Sequence, residues 1–532
     1  MKLIPIAMKP FIAILLASLV MMACSEEKTK IENDYDVPGN EKIEHEMIVL
    51  GEKMEDPYAL KNVEAALESL YPAKAGRIDI GATDLYARFL PKNEEEYETL
   101  SDLGLELMDH PVDYRIVREG DYYRDPEVPE DSITWQYAVV GRDFAFPEHI
   151  RHEILDQCYI SENDPATRGD GIDWNAVERE SYRLTGNGSM LCAETKGGKV
   201  RPAGRITIVD DKANGGKPFG VAGVKVMCNA FVKFSSAHTD RDGYYEIPKS
   251  FSSKVRYRLV FENEKGFAIG FNKVLVKGSS STLGKSSPEG KDVEITKDSE
   301  RKLFCRSVVN NSAYEYFERC GEDDLDLNPP PSNVRFWIFQ KLDASSAVMM
   351  HHGAVLDNSL VAGFLGPYKD LVKMFMPDIT LGVEDMDDYS SIYKTVCHEL
   401  AHASHFSQVK TGYWNKYVED IVTAFVTGGA TTYGDGTESL AGYCEVGEMW
   451  AYFLESVMYK DRYGGNIPSF GTSFWFYPQI FRYLNERGLG CSQLLKALTA
   501  DVHSRNALQT RLCEICPEDR SMIDQVFGRY DE

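Results

Sequence analysis

The sequence predicts a multidomain α+β fold: an N-terminal α+β domain, a small β-sandwich and a mainly helical C-terminal domain. Three observations support it. Helix and strand signals mix over residues 46–200, short alternating strands with turn residues occupy 201–285, and helical periodicity dominates the end of 286–532. A length of 532 residues with 43% hydrophobic content also suits about three folded domains of ~150 residues each.

The first 45 residues are expected to serve export. Lys2 and Lys9 precede an apolar run at 11–23. This run is too short for a membrane span and ends before Cys24. Residues 1–23 therefore form a predicted signal peptide, and the polar residues 24–45 form a tether. The letters VMMAC resemble a bacterial lipobox, which implies that Cys24 is acylated and becomes the new N-terminus. An ordinary cleaved signal with an incidental cysteine is the alternative.

The letters SEE after Cys24 resemble the acidic signal of surface lipoproteins of Gram-negative anaerobes. This resemblance implies a lipid anchor in the outer membrane and exposure at the cell surface. The formal net charge is −25, and it becomes −27 once residues 1–23, with two lysines and no acid, are removed. A chain with this much negative charge repels the phosphates of nucleic acids. Nucleic acid is therefore not an expected partner.

Residues 46–200 contain an amphipathic helix candidate at 57–69 and strand-like stretches at 82–91 and 133–140. The letters YARFLPKNEEEYETL resemble the N-terminal region of a family of surface lipoproteins from the same bacterial group, and this resemblance implies no chemistry.

In 201–285, Val224, Val226 and Cys228 are predicted to share one strand face. The strands around GVKV and TDRDGYYEI resemble the carboxypeptidase regulatory-like domain, a prealbumin-type β-sandwich, which implies an accessory role. The Gly/Ser-rich residues 276–292 are expected to form a loop or linker.

The stretch CHELAHASHF, residues 397–406, is the strongest chemical signal. Ile392, Val396, Leu400 and Ala403 recur at helical spacing, so His398 and His402 share another face one turn apart. This is the separation at which two imidazoles bind one zinc ion, and Glu399 beside them can act as the base for a water molecule.

His405 lies seven residues from His398, about 10 Å along a helix, and is expected not to bind the same ion.

The third ligand is expected from another helix. Residues 438–459 have a helical pattern with several glutamates, and EMWAY at 448–452 resembles the stretch in which gluzincin metallopeptidases present their third ligand. The resemblance implies that Glu448 is a ligand, with Zn²⁺ as cofactor. Glu445 is the alternative ligand, or an acceptor for an imidazole N–H. Position 452 is Tyr where gluzincins place an aspartate that supports a histidine.

Other features were open to more than one interpretation. Cys397 and Cys444 could form a disulfide between the two ligand helices or remain buried thiols. Cys513 and Cys516 form a C-x-x-C pair, the spacing of redox and zinc-ribbon sites, but no second pair with suitable spacing exists, so a local disulfide or plain thiols are expected. Candidates for the oxyanion donor are Tyr443, Tyr452, Tyr477 and His503. His351 and His352 are expected to be surface or core residues. Residues 375–386 could supply an edge strand for a peptide substrate.

Two functions follow from these features. The first is a membrane-anchored zinc metallopeptidase in which Glu399 is the catalytic base and a peptide or protein is the substrate. The second is a non-catalytic surface lipoprotein for nutrient capture, with the protease-like domain kept as a scaffold. Glu399 favours the enzyme, because a scaffold does not need a base beside the metal.

Overall fold

The computed structural model describes residues 47–75, 80–120, 122–129, 132–167, 171–192, 198–270, 278–340, 346–347, 378–428, 433–465 and 475–530. Cys24, the signal peptide, the tether and the His351–His352 pair lie outside these ranges. The described chain has sheets in its N-terminal and central parts and helices in its C-terminal part, which confirms the multidomain α+β class. None of the helices in these ranges combines the length and the apolar character that a membrane crossing needs.

The N-terminal region combines antiparallel strands with helices. Its elements in chain order are β1 Val49–Lys53, α1 Leu60–Leu70, α2 Pro72–Ala75, β2 Asp84–Leu90, α3 Glu94–Asp102, β3 Tyr114–Arg118, β4 Gln136–Gly141, β5 Arg151–Cys158 and α4 Trp174–Leu184. Strand β2 lies between β4 and β5, and β1 pairs with β3. Helices α1 and α4 pack through Val63, Leu67 and Val177. The predicted helix and both predicted strands overlap observed elements.

The central region contains two groups of strands around a common core. Its strands are β6 Ala203–Ile208, β7 Phe219–Gly220, β8 Val224–Ala230, β9 Lys233–His238, β10 Tyr244–Glu246, β11 Val255–Asn263, β12 Ala268–Ile269, β13 Ser280–Ser286 and β14 Val293–Ile295. Strand β6 pairs with β7, β10 and β14, whereas β8 lies between β9 and β11. Val224, Val226 and Cys228 face the shared core as predicted, and Met227 packs on the opposite side against the N-terminal region.

The loop or linker predicted at 276–292 is wrong over Ser280–Ser286. Ser280–Ser286 forms β13, which pairs antiparallel with β11 from Val255↔Ser286 to Val260↔Ser280. The composition favours a loop, but the backbone of any residue can pair with an open strand edge, and β11 supplies one.

The C-terminal region is mainly helical. Its elements are α5 Arg301–Cys320, β15 Arg335–Phe339, β16 Ser346–Ala347, β17 Ile379–Gly382, α6 Tyr389–Gly428, α7 Ala441–Tyr463, α8 Gln479–Glu486, α9 Cys491–Ala497, α10 Arg505–Ile515 and α11 Arg520–Phe527. The sheet of β8, β9 and β11 continues into this region, because β12 pairs in parallel with β15. One buried cluster accordingly extends from Ile206 to Phe527. The central strands and C-terminal helices therefore share one core.

The predicted edge strand is covered on both sides over part of its length. Thr380 of β17 pairs with Trp337 of β15 on one side and with Ser346 of β16 on the other. Both sides of β17 are hydrogen-bonded at that point, so a peptide cannot add to it there. The alternation of Ile379 and Leu381 predicted a strand correctly, but it carries no information on which neighbours the strand acquires.

Candidate metal centre

Helix α6 carries the two histidines. The side chain of Asp388 caps its first turn, accepting a hydrogen bond from the backbone N–H of Ser391 at 2.8 Å. The apolar residues predicted to face the core are all buried: Ile392, Val396, Leu400 and Ala403. His398 and His402 are buried too, with exposures of 4% and 0%, so this helix is enclosed on the histidine face as well.

Helix α7 brings a carboxylate to the two imidazoles. His398 Nε2 lies 3.5 Å from Glu448 Oε2, and His402 Nε2 lies 3.4 Å from Glu448 Oε1. One ligand atom from each residue lies within 4.8 Å of the others, and all three side chains are buried. The structure thus unites the three predicted ligands in a group that could hold a metal ion.

Glu455 supports the first histidine from one side of this group. Its Oε2 lies 3.0 Å from His398 Nδ1, and a carboxylate can only accept, so Nδ1–H is the donor and Nε2 faces Glu448. Lys394 Nζ lies 3.3 Å from the other oxygen of Glu455. Glu455 therefore fixes the orientation of the His398 ring.

The alternative role considered for Glu445 is not observed. Its carboxylate accepts from the backbone N–H of Arg505 at 3.2 Å and lies 3.2 Å from the Arg505 Nε. Seven residues separate Glu448 and Glu455, so both point to the same side of α7, whereas Glu445 is occupied at another helix. Sequence reasoning missed Glu455, although this spacing was a usable signal.

Glu399 lies beside the group and is fully buried. It is not among the three residues whose ligand atoms cluster, yet its charge helps to raise the pKa of His398.

The carboxylates control the charge of the histidines. Burial disfavours the protonated form of His398, but Glu448 and Glu455 outweigh burial and raise its pKa to about 10. Burial also opposes ionisation of Glu448, but the two histidines outweigh it and lower the pKa to about 2. Burial lowers the pKa of His402, so this ring remains neutral at pH 7 and retains a lone pair for a metal.

His405 is outside the group, as predicted. Its ring is completely buried against Tyr413, at a centroid distance of 5.0 Å, and Trp414, at 6.1 Å. Burial and the neighbouring His402 lower its pKa to about 3, so it is neutral.

A break in α6 builds one wall of the site. Lys410 has φ 65°, and the helix ends there and restarts. On a continuous helix Tyr417 would lie about 22 Å beyond His402, but the ring centroids are 5.9 Å apart. The chain therefore turns back, and the Tyr417 hydroxyl donates a hydrogen bond to Glu448 Oε1. Sequence reasoning missed Tyr417 because Lys rarely adopts positive φ.

Of the four oxyanion-donor candidates, only Tyr452 lies at the site. Its ring centroid is 4.5 Å from that of His398, and its hydroxyl is 3.3 Å from the Tyr433 hydroxyl. Tyr443 stacks on His503 with a centroid distance of 4.7 Å, and Tyr477 packs against Tyr530. These three residues form contacts elsewhere.

The cysteines in the described part of the chain are free thiols. Cys397 and Cys444 are both fully buried and unbonded, and so are Cys513 and Cys516, at 4% and 1% exposure. Burial raises the pKa of the Cys397 and Cys444 thiols well above the usual value, so neither is a thiolate. Of the two alternatives considered for each pair, the structure shows the buried thiols.

Comparison of the chain with protein-family models, with curated proteins and with solved structures finds no match. The function of this protein is therefore inferred from the geometry of the site and from the residues that form it.

Proposed function

We propose that this protein is a membrane-anchored, zinc-dependent metallopeptidase that hydrolyses peptide bonds. One observation carries the proposal: His398, His402 and Glu448 meet in a buried group, and Glu399, which follows His398 in the chain, is buried with them. Zinc hydrolases use this combination of groups: two imidazoles and one carboxylate as metal ligands, and a second carboxylate as the base.

The donor set and spacing fit zinc. Bonds of about 2.0–2.2 Å at tetrahedral angles place ligand atoms about 3.3–3.5 Å apart. The two histidine–carboxylate distances are 3.5 and 3.4 Å. Two nitrogens with one oxygen also suit zinc better than calcium or magnesium, which prefer oxygen ligands alone.

A zinc ion in this group would acidify a water molecule and polarise the scissile carbonyl. Glu399 would accept the proton of the attacking water and deliver it to the leaving amine. Glu455 would keep the Nε2 of His398 directed at the metal, and Tyr452 would be the hydroxyl available to the developing oxyanion.

The alternative function, a non-catalytic binding lipoprotein, is favoured by one observation. Glu399, His402 and Glu448 are each 0% exposed in the described part of the chain, and closed metal sites are more often structural. Three protein ligands, however, leave one tetrahedral position open, which is the arrangement of catalytic zinc.

The test compares four full-length proteins for zinc content and for hydrolysis of a mixed peptide library followed by mass spectrometry. Wild type should hold about one zinc per chain and cleave peptides. Glu399→Gln should retain zinc and lose cleavage, whereas His402→Ala should lose both. His405→Ala, a truncation of a buried histidine outside the group, should retain both. Zinc in wild type without any cleavage would favour the binding lipoprotein.

The membrane anchor is a separate part of the proposal and is supported by the lipobox-like sequence. Cys24→Ser should abolish labelling with a fatty-acid probe and release the protein from the outer-membrane fraction. If Cys24→Ser keeps both the fatty-acid label and its place in the outer-membrane fraction, lipid anchoring is refuted. The peptidase proposal is not affected by that result.

A further inference from the structure

A cavity of about 310 Å³ lies between the N-terminal region and the sheet face that carries Met227. This volume is at the lower end of the range for small-molecule sites. Strands β8, β9 and β11 supply its floor, with Lys225, Met227, Ser236, His238, Arg258, Val260 and Glu262, and its roof includes Tyr97 and residues from 101 to 109. Gly104 of the roof and His238 of the floor are exposed, so solvent reaches the cavity between them.

The strand register fixes the order of charges along the floor. Arg258 of β11 is opposite Met227, and Val260 is opposite Lys225. Glu262 comes two residues later on the same face of β11. Arg258 therefore marks one end of the floor, and Lys225 with Glu262 marks the other.

Arg258 is a buried cation without a direct acidic partner. It is 5% exposed, and it donates hydrogen bonds to His110 Nε2, at 2.9 Å from Nη2, and to the sulfur of Met108, at 3.6 Å from Nη1. Asp109 and Glu119 act on Arg258 only through space, and no carboxylate of the described residues forms an ion pair with it. A guanidinium has five N–H donors, so Arg258 keeps hydrogen-bonding capacity at the cavity wall.

His110 is the reason that this cation can be buried. Its Nδ1 is 2.7 Å from Asp109 Oδ1, so Nδ1–H donates to the carboxylate and Nε2 is left to accept from Arg258. Asp109 is held in turn by the backbone N–H of Tyr123 at 2.6 Å. Burial lowers the pKa of Arg258 to about 10, which still leaves it charged at pH 7.

The other end of the cavity has an excess of negative charge. Lys225 Nζ lies 2.8 Å from Glu106 Oε2 and 3.5 Å from Glu262 Oε2. One ammonium is thus shared by two carboxylates. Partial desolvation of the His238 ring and the charge of Lys225 lower the pKa of His238, so this neighbour is uncharged. This end suits a positively charged group.

We propose that the cavity binds a short peptide with free termini, whose C-terminal carboxylate contacts Arg258 and whose N-terminal ammonium lies near Glu106 and Glu262. Four residues of β11 separate Arg258 from Glu262, about 13 Å at 3.3 Å per residue. An extended peptide of three to four residues has about this length. The forked guanidinium matches a carboxylate with two parallel hydrogen bonds. The proposal uses no property of the metal centre.

Three probes that differ only at their ends test it: trialanine, trialanine amide and N-acetyl-trialanine. Binding is measured by titration calorimetry on the full chain with Glu399→Gln, so that the peptides are not consumed. Trialanine should bind, and each blocked form should bind about tenfold more weakly or worse, because each loses a contact between charged groups. Absence of saturable trialanine binding in the millimolar range, or equal binding of the amide or of the acetylated form, would overturn the proposal.

A variant locates the binding. In the same background, Arg258→Lys keeps the charge but removes the fork, and should weaken trialanine binding about tenfold. Arg256→Lys is the matched control, because Arg256 is on the same face of β11, pairs with Glu119 and does not line the cavity. Undiminished binding in Arg258→Lys would place the peptide elsewhere and refute the site. If Arg258→Lys does not fold, the comparison of the three peptides on the protein with an unsubstituted cavity still tests the peptide-binding proposal.

Discussion

Replacing Glu455 by Gln should weaken zinc binding although Glu455 is not a ligand. Its carboxylate accepts the Nδ1–H hydrogen bond of His398 at 3.0 Å and lies 3.3 Å from Lys394 Nζ. The amide keeps the size of the side chain but removes the charge that makes Nε2 a better donor to the metal. Loss of such a partner costs about 10- to 100-fold in metal affinity, or about 1.4–2.7 kcal/mol.

The assay is a competition titration of metal-free protein against a zinc chelator of known affinity. Glu445→Gln is the matched control: Glu445 is on the same helix, is 7% exposed against 5% for Glu455, and binds Arg505 instead of a histidine. Its zinc affinity should stay within about twofold of wild type. Equal affinities for Glu455→Gln and wild type, or an equal loss in Glu445→Gln, would refute the assigned role.

Three further predictions concern the surroundings of the site and the core. Tyr417→Phe should destabilise the metal-free protein by about 1.5–3 kcal/mol in urea unfolding, because Glu448 loses a hydroxyl donor; unchanged stability would contradict this contact. Burial raises the pKa of Asp56 to about 8, so its ionisation costs folding stability progressively as pH rises from about 4 to 8, and Asp56→Asn should stabilise the protein more at pH 8 than at pH 5. An equal effect of Asp56→Asn at both pH values would refute that titration. A thiol reagent applied after unfolding without reductant should label both Cys397 and Cys444, which are free thiols, and an unlabelled pair would reveal a disulfide.

The two candidate histidine ligands could be predicted because local geometry places them: His398 and His402 share a helix face whatever the rest of the chain does. Glu448 was predicted from the resemblance of EMWAY to the gluzincin stretch, and the structure brings it to these histidines. Which atoms approach those ligands is a tertiary question. Glu455 follows Glu448 by two helical turns, so helical spacing could have predicted that it lies near the histidines. Glu445 was an equally good candidate from the sequence, and only the structure shows that it pairs with Arg505 instead.

Tyr417 and the sheet connections could not be predicted. The return of the chain at Lys410 depends on a backbone conformation that lysine seldom adopts, so tertiary packing must stabilise it. The pairing of β12 with β15 joins Ala268 to Arg335 across 67 residues, and no local pattern encodes such a partner. The assignment of 276–292 as a linker was wrong at Ser280–Ser286 for the same reason. These residues form β13 only through their pairing with β11.

The most direct test of the central claim is anomalous X-ray scattering from crystals of the wild-type protein purified without added metal, measured on both sides of the zinc absorption edge. The account predicts one zinc peak per chain, about 2.0–2.2 Å from His398 Nε2, His402 Nε2 and a Glu448 oxygen. A zinc peak coordinated by other residues, or no peak between these three after zinc is added, would contradict it.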